Sequence, residues 1–155
     1  MAGTGEGGAH NPHSGGRGAL RRSLVVEDDA ILGMMIAETL KGLGLQQISV
    51  CPCIASALNE LDRLKPDLLV LDVHLADRDD GWTIVELLRE LSPALPRIVF
   101  STATPESIPP RIAEMGVVLA KPFAPEDLAA AIAAESRPRP GLLAWLKGVL
   151  GAHPE

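Results

Sequence analysis

The sequence predicts an α/β domain, a doubly wound five-stranded parallel sheet flanked by helices in three layers. Two observations carry that expectation. From Leu20 onward, short β-branched runs alternate with segments of helical period, the pattern of parallel strands joined by crossover helices. Leu68 to Leu71 is an unbroken apolar run of strand length, as a central strand covered on both faces requires.

The first strand is Leu24-Val25-Val26, followed by a helix from Ala30 to Lys41 whose apolar face is expected to carry Ile31, Met34, Met35, Ile36 and Leu40. Gly42 and Gly44 end it. A weak second strand runs from Gln47 to Cys51 and breaks at Pro52; Ile54, Ala57, Leu58, Leu61 and Leu64 then mark a second helix. The third strand delivers Asp72 at its carboxyl end. Asp80 is placed to cap a helix from Gly81 to Leu91, in which Trp82, Val85, Leu88 and Leu91 have the spacing of a buried stripe. Arg97 to Phe100 reads as a fourth strand ending at Ser101-Thr102, Val117 to Ala120 as a fifth, and Pro125 to Glu135 as the last helix. The helix before the fifth strand is expected to be short, because Pro109 and Pro110 fit only its first turn and Gly116 closes it.

At 155 residues the chain holds one ordinary domain. Fourteen Lys and Arg against 20 Asp and Glu give a net charge of −6, which argues against nucleic acid as a partner, since phosphate binding needs concentrated positive charge. Cys51 and Cys53 are too close for an unstrained disulfide and too few for a zinc site, so they read as packing residues in a reducing cytoplasm. No apolar run approaches the roughly 20 residues that span a bilayer, and no signal core is evident.

Seven of the 15 glycines fall in residues 1–18, read as a disordered arm. Gly3, Gly5 and Gly8 match a G-x-G-x-x-G pattern, but without the strand before and helix after that nucleotide binding needs. Residues 137–155 read as a linker and a short amphipathic helix with Leu142, Leu146, Val149 and Leu150 on one face. That face could pack back on the domain, bind a partner helix or a dimer mate, or lie on a membrane. A protein contact is preferred and a membrane disfavoured, because Lys147 is the only charge in residues 141–150.

In open parallel sheets ligands bind at the carboxyl ends of the strands, where strand order reverses. Glu27-Asp28-Asp29, Asp72, Ser101-Thr102 and Lys121-Pro122 are all expected there. Carboxylates so close repel one another unless a divalent cation neutralises them, and an all-oxygen ligand set selects Mg²⁺ over zinc. The metal and Lys121 would offer two positive centres to a phosphoryl group, Thr102 a hydrogen bond, and Asp72 a nucleophile. Asp77, Asp79 and Asp80 lack the spacing of a calcium loop and read as solvated.

These residues resemble the receiver domain of two-component response regulators over residues 20–136, with the flavodoxin-like receiver fold that this implies. Leu24 to Asp29 looks like the family's acid pocket, Asp67 to Asp72 like its phosphoacceptor strand, and Thr102-Ala103 and Lys121-Pro122-Phe123 like its later signatures. The resemblance implies Asp72 as phosphoacceptor, Mg²⁺ on Glu27, Asp28, Asp72 and the main-chain carbonyl of His74, phosphoryl contacts from Thr102 and Lys121, and a cis Lys121-Pro122 peptide. It further implies a cytoplasmic single-domain regulator, not an ordinary enzyme, that takes its phosphoryl group from a sensor histidine kinase or phosphotransfer protein and signals through a protein partner.

The loop from Ala76 to Gly81 is a residue longer than usual, and Val118 replaces the usual aromatic switch residue, leaving Thr102 and the backbone to move. His74 and Thr104, expected on opposite rims of the pocket, are candidates for setting the acyl phosphate's lifetime. The alternatives are a receiver-like interaction module that never needs phosphorylation, and an aspartyl phosphatase of the haloacid dehalogenase type. The second requires an Asp where this chain has His74.

Overall fold

The computed structural model describes residues 19–76, 80–91 and 94–135. Its strands are β1 (Arg22–Val26), β2 (Gln47–Cys51), β3 (Leu68–Asp72), β4 (Arg97–Thr102) and β5 (Val117–Ala120). They form one parallel sheet in the order β2-β1-β3-β4-β5. The helices are α1 (Ala30–Gly42), α2 (Ile54–Leu64), α3 (Thr83–Leu91), α4 (Pro110–Ala113) and α5 (Pro125–Glu135), with a 3-10 turn over Pro105–Ser107 ahead of α4. The expected arm at residues 1–18, the C-terminal segment 137–155 and the Asp77 and Asp79 positions lie outside the described residues.

Two apolar layers sandwich the sheet. On one face Leu24, Val26, Leu69, Leu71, Ile98 and Phe100 pack against Ile54 and Ala57 of α2, Ile84 and Val85 of α3, and Ile112 of α4. On the other, Val25, Leu68, Val70 and Val99 meet Ile36 and Leu40 of α1 and Leu128 and Ile132 of α5. Every residue of β3 is buried, which is why its sequence shows no alternation.

The helical periods locate the helices but misplace parts of their faces. On α1, Ile31 and Met34 are exposed and the buried line is Gly33, Ile36 and Leu40. Gly33 sits there because a Cβ would lie 3.1 Å from Val50 Cγ1, so the helix is seated by its smallest residue. Leu58 and Leu91 are likewise exposed, and Ile84 takes a core place in α3. α3 also begins later than expected. Gly81 donates from its amide to the Val73 carbonyl at 3.0 Å, and a Cβ on it would lie 2.7 Å from the Asp72 carbonyl oxygen. This close approach holds Gly81 and Trp82 in a turn; Asp80 contributes its carbonyl to the amide of Thr83. The short α4 and its closure near Gly116 are as expected.

At the amino end of the sheet Asp67 ties β1 to β3. Its carboxylate accepts from the amides of Arg21 and Arg22, at 3.1 and 3.0 Å, and from the Arg22 guanidinium at 2.9 Å. Burial works to raise the Asp67 carboxyl, but these hydrogen bonds outweigh it and hold the group below its ordinary value.

Candidate functional site

The strand order reverses between β1 and β3, so the loops after them diverge and leave a crevice at their carboxyl ends. Glu27 follows β1 directly and Asp72 is the last residue of β3; both are 3% exposed. Asp28 reaches the same point from the solvent side, and ligand oxygens of Glu27, Asp28 and Asp72 lie within 4.8 Å of one another. Lys121 enters from the end of β5, with Nζ 3.0 Å from Glu27 Oε2 and 3.1 Å from Asp72 Oδ2. It follows a backbone bond from its own amide to the Thr102 carbonyl and precedes the cis peptide to Pro122.

Main-chain amides hold the acids in place. Glu27 Oε1 accepts from the amide of Asp29 at 3.0 Å, Asp28 Oδ2 from Ala76 at 2.9 Å, and Asp72 Oδ1 from His74 at 2.9 Å. Asp29 stands apart from the cluster as the N-cap of α1, accepting from the amides of Ile31 and Leu32.

Burial pushes the Glu27 carboxyl up to about 7; the Asp29 amide and Lys121 pull it down, and the Asp72 charge adds to the rise. On Lys121, burial works to lower the ammonium, but the hydrogen bonds to Glu27 and Asp72 prevail and raise it. Because Glu27 binds its proton more tightly folded than unfolded, its ionisation destabilises the metal-free protein as pH rises from 4.5 through about 7. A divalent cation competes with that proton. Added Mg²⁺ is therefore expected to raise the melting temperature more at about pH 8 than at about pH 6. Equal gains at the two pH values would contradict the coupling.

Thr102 is fully buried at the end of β4, and its hydroxyl oxygen accepts from the amide of Thr104 at 3.0 Å, leaving its proton to donate. Thr104 and His74 are not on opposite rims. His74 Nε2 lies 2.7 Å from Thr104 Oγ1 and 3.0 Å from Ser107 Oγ, joining the loop after β3 to the 3-10 turn after β4. Ser107 was not among the sequence candidates. The signal for it is local: Thr104-Pro105 is a helix-start pair that places Ser107 one turn on, where its hydroxyl donates to the Thr104 carbonyl at 2.7 Å. Ser101 is paired in register with Asp72, and its hydroxyl is buried without a partner. Cys51 is buried beneath the site, its carbonyl accepting from the Glu27 amide, and Cys53 is the N-cap residue of α2.

Residues 23–133 match the response regulator receiver domain family. This chain belongs to that family. The receiver is 33% identical over 120 residues to the phosphate regulon transcriptional regulatory protein PhoB of Escherichia coli, covering 76% of this chain and 52% of that one. The curated relatives are longer, and the receiver spans from 24% to 55% of their lengths. Among solved structures it resembles SdrG from Sphingomonas melonis, at 28% identity and a TM-score of 0.63, covering 77% of this chain and 98% of that one. A CheY-like receiver from Methylobacillus flagellatus, 23% identical, shares the fold at a TM-score of 0.65 over 76% and 99% of the two chains.

The acidic pocket of Glu27, Asp28 and Asp72 fits the phosphoacceptor site of a receiver, and the family implies a histidine kinase as partner. Receivers are usually phosphoacceptors and not true enzymes, and Mg²⁺ is typical of them. The donor set fits that ion: three carboxylates from two strand ends, all oxygen, one of them facing solvent. Among the described residues no helix is long and apolar enough to cross a membrane.

Proposed function

We propose that this receiver accepts a phosphoryl group on Asp72 and signals through protein partners. One observation carries the reading: Asp72 Oδ2 lies 3.1 Å from Lys121 Nζ within a cluster of three carboxylates. Glu27, Asp28, Asp72 and the main-chain carbonyl of His74 would hold Mg²⁺, which would supply positive charge to the phosphoryl oxygens. Lys121 and the Thr102 hydroxyl stabilise the same oxygens. The Asp72 carboxylate forms a bond to phosphorus while the phosphorus–nitrogen bond of a phosphohistidine breaks, and the imidazole leaves with its electron pair. Such a phosphohistidine belongs to a sensor histidine kinase or a phosphotransfer protein. The phosphoryl group, with a charge of about −1.5 to −2 in place of the single carboxylate charge, then acts on the Thr102 loop.

The test is intact mass after incubation with acetyl phosphate. A gain of one phosphoryl group is expected for the native chain with Mg²⁺, and none for Asp72→Asn or for the metal-free chain. A gain that survives Asp72→Asn would assign the phosphoryl group elsewhere; none in any sample would favour the interaction module that works unphosphorylated.

His74, Thr104 and Ser107 are hydrogen-bonded to one another across the loops that follow β3 and β4, and in this reading they limit the approach of water to an acyl phosphate on Asp72. His74→Ala and Thr104→Ala are each expected to shorten the phosphoaspartate lifetime severalfold, read as the decay of the phosphorylated mass. Unchanged decay in both would remove these residues from the mechanism.

A further inference from the structure

Ser101 is fully buried near the end of β4, and among the described residues its hydroxyl has no hydrogen-bond partner. A hydroxyl buried unpaired costs stability that an alanine in its place would not. Along β4, Phe100 packs into the layer of α2 and α3 and Val99 into the layer of α1 and α5, so alternation puts Ser101 on the α1 and α5 side. On β3 the same alternation puts Asp72 with Val70 on that side, and the register pairs Asp72 directly with Ser101. Neighbouring strands lie about 4.8 Å apart, so a hydroxyl turning about one torsion reaches the carboxylate beside it. Lys121 comes from β5, on the far side of β4, and crosses the β4 end to meet Asp72.

We propose that Ser101 is a positioning residue for the phosphoacceptor: its hydroxyl donates to the Asp72 carboxylate once phosphoryl transfer draws Lys121 away. The inference rests on the reading of Asp72 as phosphoacceptor. At rest the His74 amide holds Asp72 Oδ1 and the Lys121 ammonium holds Oδ2, which leaves Ser101 without a part. As Lys121 turns to the phosphoryl oxygens, Oδ2 loses its tether, and a carboxylate held by one oxygen swings about its own torsion. The Ser101 hydroxyl takes up the freed oxygen, keeps the carboxylate plane directed at phosphorus and gains the partner it lacks at rest. Each carboxylate oxygen has two lone pairs, so this bond leaves a lone pair for phosphorus, and no proton is transferred.

Four single variants separate the hydroxyl from its bulk. Ser101→Ala removes it, Ser101→Thr keeps it, and Ser101→Val has the shape of Thr without it. Ser23→Ala removes another buried, unpaired hydroxyl, at the amino end of β1. With acetyl phosphate and Mg²⁺, the phosphorylation rate is expected to fall about tenfold in Ser101→Ala and Ser101→Val and to stay within about twofold of native in Ser101→Thr and Ser23→Ala. The metal-free melting temperature of Ser101→Ala is expected to match or exceed that of the native chain, so the slower reaction does not come from unfolding. Beryllofluoride with Mg²⁺, standing in for the phosphoryl group, is expected to raise the melting temperature of Ser23→Ala as much as that of the native chain, and that of Ser101→Ala by less. Ser101→Ala phosphorylated as fast as Ser23→Ala would overturn the inference and leave Asp72 as phosphoacceptor. So would equal rates in Ser101→Val and Ser101→Thr, which would reduce the position to bulk. Should the larger side chains disturb the packing, seen as a lower metal-free melting temperature, Ser101→Ala against Ser23→Ala decides by itself. A native chain that gains no phosphoryl group and does not respond to beryllofluoride would overturn the phosphoacceptor reading and this inference with it.

Discussion

Lys121→Met is expected to destabilise the metal-free protein by about 3 kcal/mol at about pH 8, and by much less at about pH 5.5. The ammonium lies at 3.0 and 3.1 Å from two carboxylates that are almost fully buried. Removing it leaves their charges facing each other and Asp28 with nothing to offset them. Burial already favours the proton on Glu27, and the loss of Lys121 raises that carboxyl further. At low pH Glu27 is protonated in both proteins and the missing ammonium costs little; as pH rises through about 7 the native Glu27 ionises and gains its pairing with Lys121, which the variant lacks. Mg²⁺ restores part of the loss at high pH, since it replaces the missing positive charge. Phosphoryl transfer is expected to fall by about 10²-fold or more even with Mg²⁺, because one of two positive centres on the phosphoryl oxygens is gone. Denaturant melts at the two pH values check the first effect and phosphorylation rates the second; a pH-independent loss would mean that Lys121 acts through packing alone.

Gly116→Ala is expected to destabilise the fold by about 3 kcal/mol or more, lowering the melting temperature by roughly 10 °C or more. A Cβ there would lie 2.4 Å from the Ile98 carbonyl oxygen, 2.9 Å from its Cβ and 3.0 Å from its carbonyl carbon. These are backbone and core atoms of β4, and neither can retreat without moving the strand that carries Thr102. Gly42 at the end of α1 is the control. Nothing lies within 4 Å of a Cβ there, so Gly42→Ala is expected to be neutral or to stabilise by up to about 1 kcal/mol. A Gly116→Ala melt that matches Gly42→Ala would show that β4 and β5 separate freely.

The sheet was legible because each buried strand repeats a short apolar run and each crossover shows a helical period. Even the short α4 announces itself through Pro109, Pro110 and Gly116. The face of α1 was legible only in part: Ile36 and Leu40 are buried as expected, but the seating residue is Gly33, which carries no apolar signal, while Ile31 and Met34 carry a strong one and stay outside. Glu27, Asp28, Asp72 and Lys121 could be brought together from sequence, since each sits at a strand end that the topology directs to one edge. The joining of His74 to Thr104 and Ser107 could not. It depends on how a 3-10 turn folds back after β4, and no period or spacing links position 74 to position 107.

The Asp67 anchor has a consequence at the far end of the molecule. It fixes β1 and β3 to each other about five residues, or roughly 17 Å, from the acids that those strands carry. Between the anchor and the acids the backbone ladder pairs the two strands in register, from Ser23 opposite Leu68 to Val26 opposite Leu71. Clamp, ladder and acids are thus one rigid ruler: Asp67 closes its far end, and the Val26–Leu71 pair hands the strand spacing directly to Glu27 and Asp72.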